Sequence, residues 1–394
     1  MTSRGIRDKV AIVGMGCTRF GELWERSTGD LLVEAATGCL DSAGVQPSDV
    51  DAYWLGTMDS GYAGLTLSTA LKTDYRPVTR VENLCATGSE ALRNACYAVA
   101  SGAYDTAMAI GVEKLKDSGY SGLVRRDPPD DGSAVETSAP AAFSYLAPAY
   151  AAAYGLDDAT MRKVLTHIAV KNHANGALNP RAQFRTPVTA ATVDNAPLVA
   201  GSLGVFDCSG VADGAAAALV VRAEDAHKYT ADPLYVKALA VASGRGDAAL
   251  DDRVSFTSFP EVVRCAEDAY RQAGITDPRT QLSLAEVHDC FTPTELVLME
   301  DLGFSARGEG WRDVLDGAFD RDGRLPVNVD GGLKAFGHPV GASGLRMLFE
   351  CWLQMRGEAG ERQLARPGLG LTHNLGGRPG KCVSFIGIVG SELS

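Results

Sequence analysis

The sequence has no apolar run approaching the roughly 18 residues needed to span a bilayer, and its longest apolar stretches, such as Val383 to Gly390, have the length of a strand. No membrane partner is therefore expected. Positive charge is in deficit: 37 Lys and Arg against 49 Asp and Glu leave a net charge of -12, which makes nucleic acid or an anionic surface a poor main partner. The nine cysteines are odd in number and no two lie closer than eleven positions. That spacing argues against a disulfide framework and against a self-contained zinc ribbon, so reduced thiols are expected. The start, MTSRGIRDKVAIVG, has no basic and apolar blocks of a secretory signal, and the end, SELS, is no peroxisomal address. A cytoplasmic location is the expectation.

Glycine, by contrast, is abundant at 44 of 394 residues, against a usual share of about 7%. A chain of this length usually splits into more than one core. Strand-like and helix-like segments alternate throughout. Lys9 to Gly16, Val50 to Thr57, Val78 to Asn83 and Thr106 to Glu113 read as strands, and Ser27 to Ser42 and Thr87 to Ser101 as helices. The pattern resumes with strands at Leu234 to Ser243, Leu282 to Phe291 and Cys382 to Val389, and helices at Pro260 to Ala273 and Gly341 to Arg356. Such alternation points to an α/β fold with a largely parallel core.

The two parts resemble each other. TGSEALR at Thr87 aligns without a gap on VGASGLR at Val340, at an offset of 253, and Cys85 then falls on His338. Helices ending in Ala43-Gly44 and Ala273-Gly274 repeat the likeness. Two similar halves are expected, residues 1–230 and 231–394. The stretch from about 115 to 200 has no counterpart and reads as an insertion on the first half. It opens with RRDPPDDGS and carries KNHANGALNPRAQFR; long insertions of this kind usually cover or bind a ligand.

Cys85 is the leading nucleophile. It follows a strand and immediately precedes a helix starting Ala-Thr-Gly-Ser, so free amides and the positive helix end should lower its thiol pKa. Cys96, eleven residues on in the same helix, is the contrasting core cysteine. His338, in GHPVGASG, is the candidate base, because a pseudo-two-fold relation would bring it to Cys85. His288-Asp289-Cys290-Phe291 closes a strand before a helix, where α/β proteins place ligand sites, and on a strand His288 and Cys290 would share a face. A metal at that pair ranks below a catalytic role, since no further ligand stands at suitable spacing; no metal is expected. The glycine-rich turn from Thr372 to Gly380 has amides suited to an oxyanion. Arg162, Lys163, Lys171, Arg181 and Arg185 are either a solvated face or a phosphate patch. His167 and His173 diverge on a helix and make no shared metal site, and His227, Cys17, Cys39, Cys208, Cys265, Cys351 and Cys382 read as structural.

The cysteine in VENLCATGSEAL, the GHPVGASG turn, HDCF and KNHANGALNPRAQF together resemble the thiolase superfamily, in its sterol-carrier-protein-type and archaeal-type branch. The resemblance covers essentially the whole chain. It implies a fold of two βαβαβαββ halves in a five-layered αβαβα arrangement, assembled as a homodimer or homotetramer. It further implies a coenzyme A-dependent acyltransferase with coenzyme A as co-substrate, in which Cys85 is acylated, His338 is the base and Cys290 the second acid/base. His288 would help form one oxyanion hole, and the amides of Cys85 and of Gly376-Gly377 the other. The insertion would hold the coenzyme, and His373 would line the pocket. Other branches of the superfamily place their second cysteine in a C-terminal CxGGG turn, which here reads HNLGG. Two alternatives accompany the reading: an aldolase or acyltransferase subunit working with a small OB-fold and zinc-ribbon partner protein, and a non-catalytic acyl-CoA-binding scaffold.

Overall fold

Residues Val10–Cys17 form strand β1 and are buried on both faces, as a run of apolar and glycine residues without alternation requires. In the computed structural model, which describes residues 5–116, 138–245, 254–365 and 367–394, β1 lies in the middle of a nine-stranded sheet. Helix α1 (Thr28–Ala43) follows, started by a capping box between Ser27 and Asp30 and closed by Gly44 in the left-handed conformation, as the sequence suggests. Next come β2 (Ala52–Gly56), α2 (Leu65–Leu71), β3 (Val78–Val81), α3 (Thr87–Ala100) and β4 (Thr106–Glu113). The inserted stretch supplies α4 (Ala139–Phe143), α5 (Leu146–Tyr154), α6 (Asp158–Ala177), α7 (Ala190–Asp194) and a short hairpin of β5 (Leu198–Ala200) and β6 (Leu203–Gly204). Its RRDPPDDGS loop lies outside the described residues. Strand β7 (Gly214–Arg222), an alanine-rich segment that the sequence reading does not assign, returns the chain to the sheet.

Strand β8 (Leu234–Ser243) opens the second set, followed by α8 (Pro260–Ala273), α9 (Pro278–Gln281), β9 (Leu284–Glu286), α10 (Thr292–Asp301) and α11 (Gly310–Leu315). It ends with α12 (Gly332–Phe336), α13 (Ser343–Met355), β10 (Leu369–Arg378) and β11 (Lys381–Gly390). The sheet order is β3-β2-β4-β7-β1-β8-β11-β10-β9. Outward from the β1/β8 joint, where Ala11 faces Tyr235 and Ile12 faces Leu234, both sides show the same succession. An antiparallel pair (β1/β7, β8/β11) leads to a second (β7/β4, β11/β10) and then to a parallel pair (β4/β2, β10/β9). The counterpart of β3 in the second set is reduced to one bridge between Ala285 and Val327.

Strand alternation sorts the side chains into three cores. On β7, Ala215, Ala217, Leu219 and Val221 pack with Leu31, Leu32 and Ala35 of α1. Ala216, Ala218 and Val220 turn the other way, to Leu92 and Cys96 of α3 and Leu345 and Trp352 of α13. Val383 and Phe385 of β11 join that central core, while Ile386 and Ile388 face Val262 and Cys265 of α8. The result is five layers, αβαβα, with α3 and α13 buried between the two half-sheets.

The sheet is not largely parallel as expected: its centre, from β4 to β10, is antiparallel throughout and only the outer pairs are parallel. Two segments also differ from the sequence reading. The strand expected through Phe291 ends at Glu286, because the amide of Val287 leaves the ladder and donates to Asn328 Oδ1 at 2.8 Å. His288 and Cys290 therefore lie on a loop and not on one strand face. The glycine-rich stretch from Thr372 is strand β10, paired with β11 from Leu369 to Arg378, and only Pro379 and Gly380 form the turn.

The N-terminal ends of α3 and α13 meet without side chains between them. A Cβ on Gly88 would stand 2.7 Å from the carbonyl oxygen of Gly341, and one on Gly341 would stand 2.5 Å from that of Val112. One on Gly344 would strike Ser89 Oγ, whose hydroxyl donates to Asn374 Oδ1 on β10 at 2.6 Å. Gly38 on α1 is the contrasting case, with only the Gly16 Cα nearby at 3.6 Å. Gly88→Ala should lower the unfolding free energy by about 1–3 kcal/mol through overpacking, whereas Gly38→Ala should raise it by up to about 1 kcal/mol through helix propensity. Urea denaturation midpoints decide this, and equal midpoints for Gly88→Ala and the parent would mean that the helix ends do not touch as described.

Candidate active site

Cys85 sits at the tight entry to α3. Leu84 before it has φ 53°, in the left-handed region that non-glycine residues rarely occupy. The turn is held by Asn83 N–H donating to Thr87 Oγ1 at 2.8 Å and Ala86 N–H to the Asn83 carbonyl at 3.1 Å. Cys85 is half-buried, and burial pushes its thiol up to about 12, against the pull of the backbone N–H groups of Cys85 and Gly377. The lowered thiol pKa expected from the helix end is therefore not found: loss of hydration outweighs two amides. Cys96 is fully buried in the helix interior, with its thiol raised by burial alone.

His338 lies between α12 and α13. Its backbone N–H donates to the Gly210 carbonyl at 2.8 Å, and its Nδ1 is 2.7 Å from Ser343 Oγ. Ser343 gives its single hydroxyl proton to the Pro339 carbonyl at 3.0 Å. With the hydroxyl proton so placed, the oxygen accepts from the ring, the tautomer in which Nδ1 carries the proton and Nε2 presents a lone pair. Burial and then the Arg346 guanidinium depress the imidazole to about 3, so it is neutral at physiological pH.

His288 stands edge-on to His338, with ring centroids 5.4 Å apart. The Cys85 sulfur and one ring nitrogen each from His288 and His338 all lie within 4.8 Å of one another. His288 is held well below its ordinary value by burial and by the fields of His338, His373 and Arg346. Cys290 is 6% exposed, its thiol 3.7 Å from Thr294 Oγ1 and raised well above the usual range by burial. Asp289, between them, points away and braces the loop. Its carboxylate accepts from the amides of Leu333 at 2.6 Å and Lys334 at 3.2 Å and from Asn172 Nδ2 at 2.8 Å. Any Cβ on Gly332, at φ 63°, would collide with that carboxylate. Burial, then Glu295, raises Asp289 to about 7.

Gly376 lies where a Cβ would be 2.8 Å from the Asn83 carbonyl, so β10 reaches the turn that carries Cys85. His373 is fully buried, with both ring nitrogens unpartnered among the described residues and the imidazole depressed to about 3 by burial. The five insertion cations do not form one patch. Lys171 points inward, its ammonium 2.6 Å from Glu295, and Arg162 makes a two-pronged pair with Asp207 at 2.7 and 2.9 Å. Arg181 donates Nε to the Cys17 carbonyl at 3.0 Å over the ring of Phe349. Lys163 and Arg185 are exposed.

Several contributors were not singled out from the sequence. Ser343 stands five residues after His338 and was legible as a helix-start hydroxyl. Glu113, at the end of β4, accepts from Thr57, Met58, Asp59, Ser60 and the Gly341 amide, tying the first half to the GHPVG turn. Arg346 is fully buried, paired with Asp330 and, at 3.3 Å, with Glu286; no local pattern betrays it.

Fold and site together define a duplicated αβαβα protein with a cysteine–histidine centre at the joint of its halves. Residues 10–224 match the family model "Thiolase, N-terminal domain" and residues 242–386 "Thiolase C-terminal domain-like". The chain belongs to the thiolase family. It is 40% identical over 385 residues to "Acetyl-CoA acetyltransferase" of Methanothermobacter thermautotrophicus, covering 96% of this chain and 98% of the relative. It is 31% identical to human "Sterol carrier protein 2", covering 93% of this chain and 70% of that protein. Among solved structures it is similar to "Ltp2-ChsH2(DUF35) aldolase", with TM-score 0.83 and 26% identity over 99% of both chains. A human mitochondrial 3-ketoacyl-CoA thiolase, at 19% identity and TM-score 0.70 over 98% of this chain and 99% of that one, shares the fold.

The neutral imidazoles have a consequence for acid stability. His338 and His373 stay unprotonated in the fold down to about pH 3, while in the unfolded chain they take up protons below about 6.5. The unfolded state then binds more protons, so stability falls as pH drops from about 6.5 toward 3, by about 1.4 kcal/mol per pH unit for each such histidine. His373→Asn should flatten the slope of unfolding free energy between pH 6 and about 4.5 by one proton's share; superimposable slopes for variant and parent would show that His373 is not held neutral.

Proposed function

We propose that the chain is a coenzyme A-dependent acyltransferase of the thiolase type, cleaving or forming 3-ketoacyl-CoA through an acyl-cysteine at Cys85. The observation that carries this reading is the convergence of Cys85, His288 and His338 within 4.8 Å at the glycine-lined joint. The resting pair is a neutral thiol beside a neutral imidazole. Thiolate therefore forms only as bonding begins: His338 Nε2 takes the thiol proton while sulfur attacks the 3-keto carbon. The amides of Cys85 and Gly377, which face the sulfur, are proposed to receive the oxyanion, with Gly376 shaping the approach of the strand. His288 receives the thioester oxygen as the C2–C3 bond breaks, and Cys290 gives the departing enolate its proton. The thiol of coenzyme A then gives its proton to the Cys290 thiolate and takes the acyl group, and Cys85 leaves as a thiol with the proton that His338 Nε2 returns.

The two halves are read as residues 1–230 and 231–394, with about 115–200 inserted as a coenzyme-binding region and His373 behind the pocket. With Lys171 and Arg162 engaged by carboxylates, the phosphate contacts are proposed to come from Lys163 and Arg185. A cytoplasmic homodimer or homotetramer acting in lipid metabolism is the proposed setting. A second reading, an aldolase or acyltransferase subunit working with a small OB-fold and zinc-ribbon partner, is favoured by the likeness to the Ltp2-ChsH2(DUF35) aldolase.

Mass spectrometry after incubation with an acyl-CoA should find one acyl group on Cys85, and Cys85→Ala should lower thiolysis of 3-ketoacyl-CoA by roughly 1000-fold or more. Turnover with Cys85 unmodified would refute the nucleophile assignment. Activity that appears only with an added partner protein, without an acyl adduct, would favour the second reading. Replacing Lys163 and Arg185 by alanine should raise KM for coenzyme A while leaving kcat nearly unchanged.

A further inference from the structure

The donor set at the joint was not foreseen as a metal site. The pair weighed in the sequence is His288 with Cys290, but the fold instead brings Cys85 to His288 and His338, each on a separate element, with their donor atoms within 4.8 Å of one another. One thiol and two imidazoles suit a thiophilic divalent ion, which takes such ligands tetrahedrally and keeps a fourth position for water. Neither ring has to lose a proton first. The Nδ1–H of His338 is fixed by Ser343, which frees Nε2 and orients the ring as an outer partner does for a ligating histidine. The neighbouring carboxylates are engaged elsewhere: Asp289 with the Leu333 and Lys334 amides and Asn172, Glu113 with the 57–60 loop and Gly341, and Asp330 and Glu286 with Arg346.

We propose that the unacylated centre binds a divalent cation of the Zn2+ class through Cys85, His288 and His338. The sulfur–hydrogen bond gives way to a sulfur–metal bond, the proton passes to solvent, and nothing is oxidised or reduced. Bonds of about 2.3 Å to sulfur and about 2.0 Å to nitrogen place tetrahedral donors about 3.3–3.5 Å apart, so the ion draws the three side chains together from their 4.8 Å limit. Metal and acyl group then exclude each other at Cys85. The binding stands on this geometry alone; only the exclusion rests on the acyl-transfer reading.

Titration of the reduced protein with Co2+, in the presence of chelator-scrubbed buffer, tests the site. The expected result is one ion per chain with a near-ultraviolet sulfur-to-cobalt absorption and displacement by Zn2+. Cys85→Ser should abolish that absorption, His288→Ala should weaken binding by at least about tenfold and Ser343→Ala by about tenfold, and Cys382→Ala should retain it. Zn2+ should block acylation of Cys85 in proportion to its occupancy. No saturable binding below about 1 mM, or cobalt binding unchanged in Cys85→Ser, overturns the site; metal binding that leaves acylation intact overturns the exclusion.

Discussion

The close contact between the N-terminal ends of α3 and α13 is the constraint on which the rest depends. Gly88 on one helix faces Gly341 on the turn before the other, and these two residues are partners under the offset of 253 that relates the halves. Equivalent residues that touch one another must sit on the axis relating them, as at any two-fold interface. Glycine is required there because two backbones, not two side chains, form the contact. Once the helix ends are pressed together, the residues just before them, Cys85 and His338, have to face each other. The HNLGG strand follows from the same contact. Asn374 joins Ser89 beside Gly344, which holds β10 against the α3 entry and delivers Gly377 to the sulfur.

Burial of this joint explains the electrostatics better than helix ends do. A helix N-terminus favours an anion, yet the Cys85 thiol is pushed up and both histidines are pushed down. One cause, loss of water, acts in opposite directions on an acid that becomes negative and on a base that becomes positive. The site is kept charge-neutral until substrate arrives, and Arg346 reinforces this by opposing a second positive charge on His338. Arg346 is itself held by Asp330 and Glu286, so its field is fixed while its charge is balanced.

Much of this was legible in the sequence, because local patterns governed it. The α1 cap, Thr106–Glu113, Leu234–Ser243 and Pro260–Ala273 follow from capping residues and hydrophobic runs, and the α/β class and the two similar halves from the alternation and the repeat, whereas the five layers were implied only by the family resemblance. The misreadings share a cause. Val287 abandons its strand for the side chain of Asn328, forty-one residues away, and the glycines of β10 look like a turn because their packing partner, the Asn83 turn, is remote in sequence. Lys171 and Arg162 looked available for phosphate until the fold supplied Glu295 and Asp207. Long-range partners are what a periodicity argument cannot supply.

The same limit bears on why the centre is assembled from three elements. Cys85 comes from a strained turn entering a helix, His338 from a proline-fixed turn and His288 from a loop braced by Asp289 on the amides of α12. Each is positioned by backbone contacts of its own and not by its neighbours at the site. A side chain can therefore be exchanged at one corner without displacing the others, provided that the glycines remain. On this view the chemistry within the fold is set by what stands on the loop after β9 and within β10, while the Gly88–Gly341 contact and the Cys85–His338 pairing it enforces stay constant. Here a histidine and a cysteine flank Asp289 on that loop, and a histidine stands where β10 passes behind them. Under the proposed function Cys290 on that loop supplies the second acid/base, and a residue within β10 at the His373 position would address the same centre without any change in the joint.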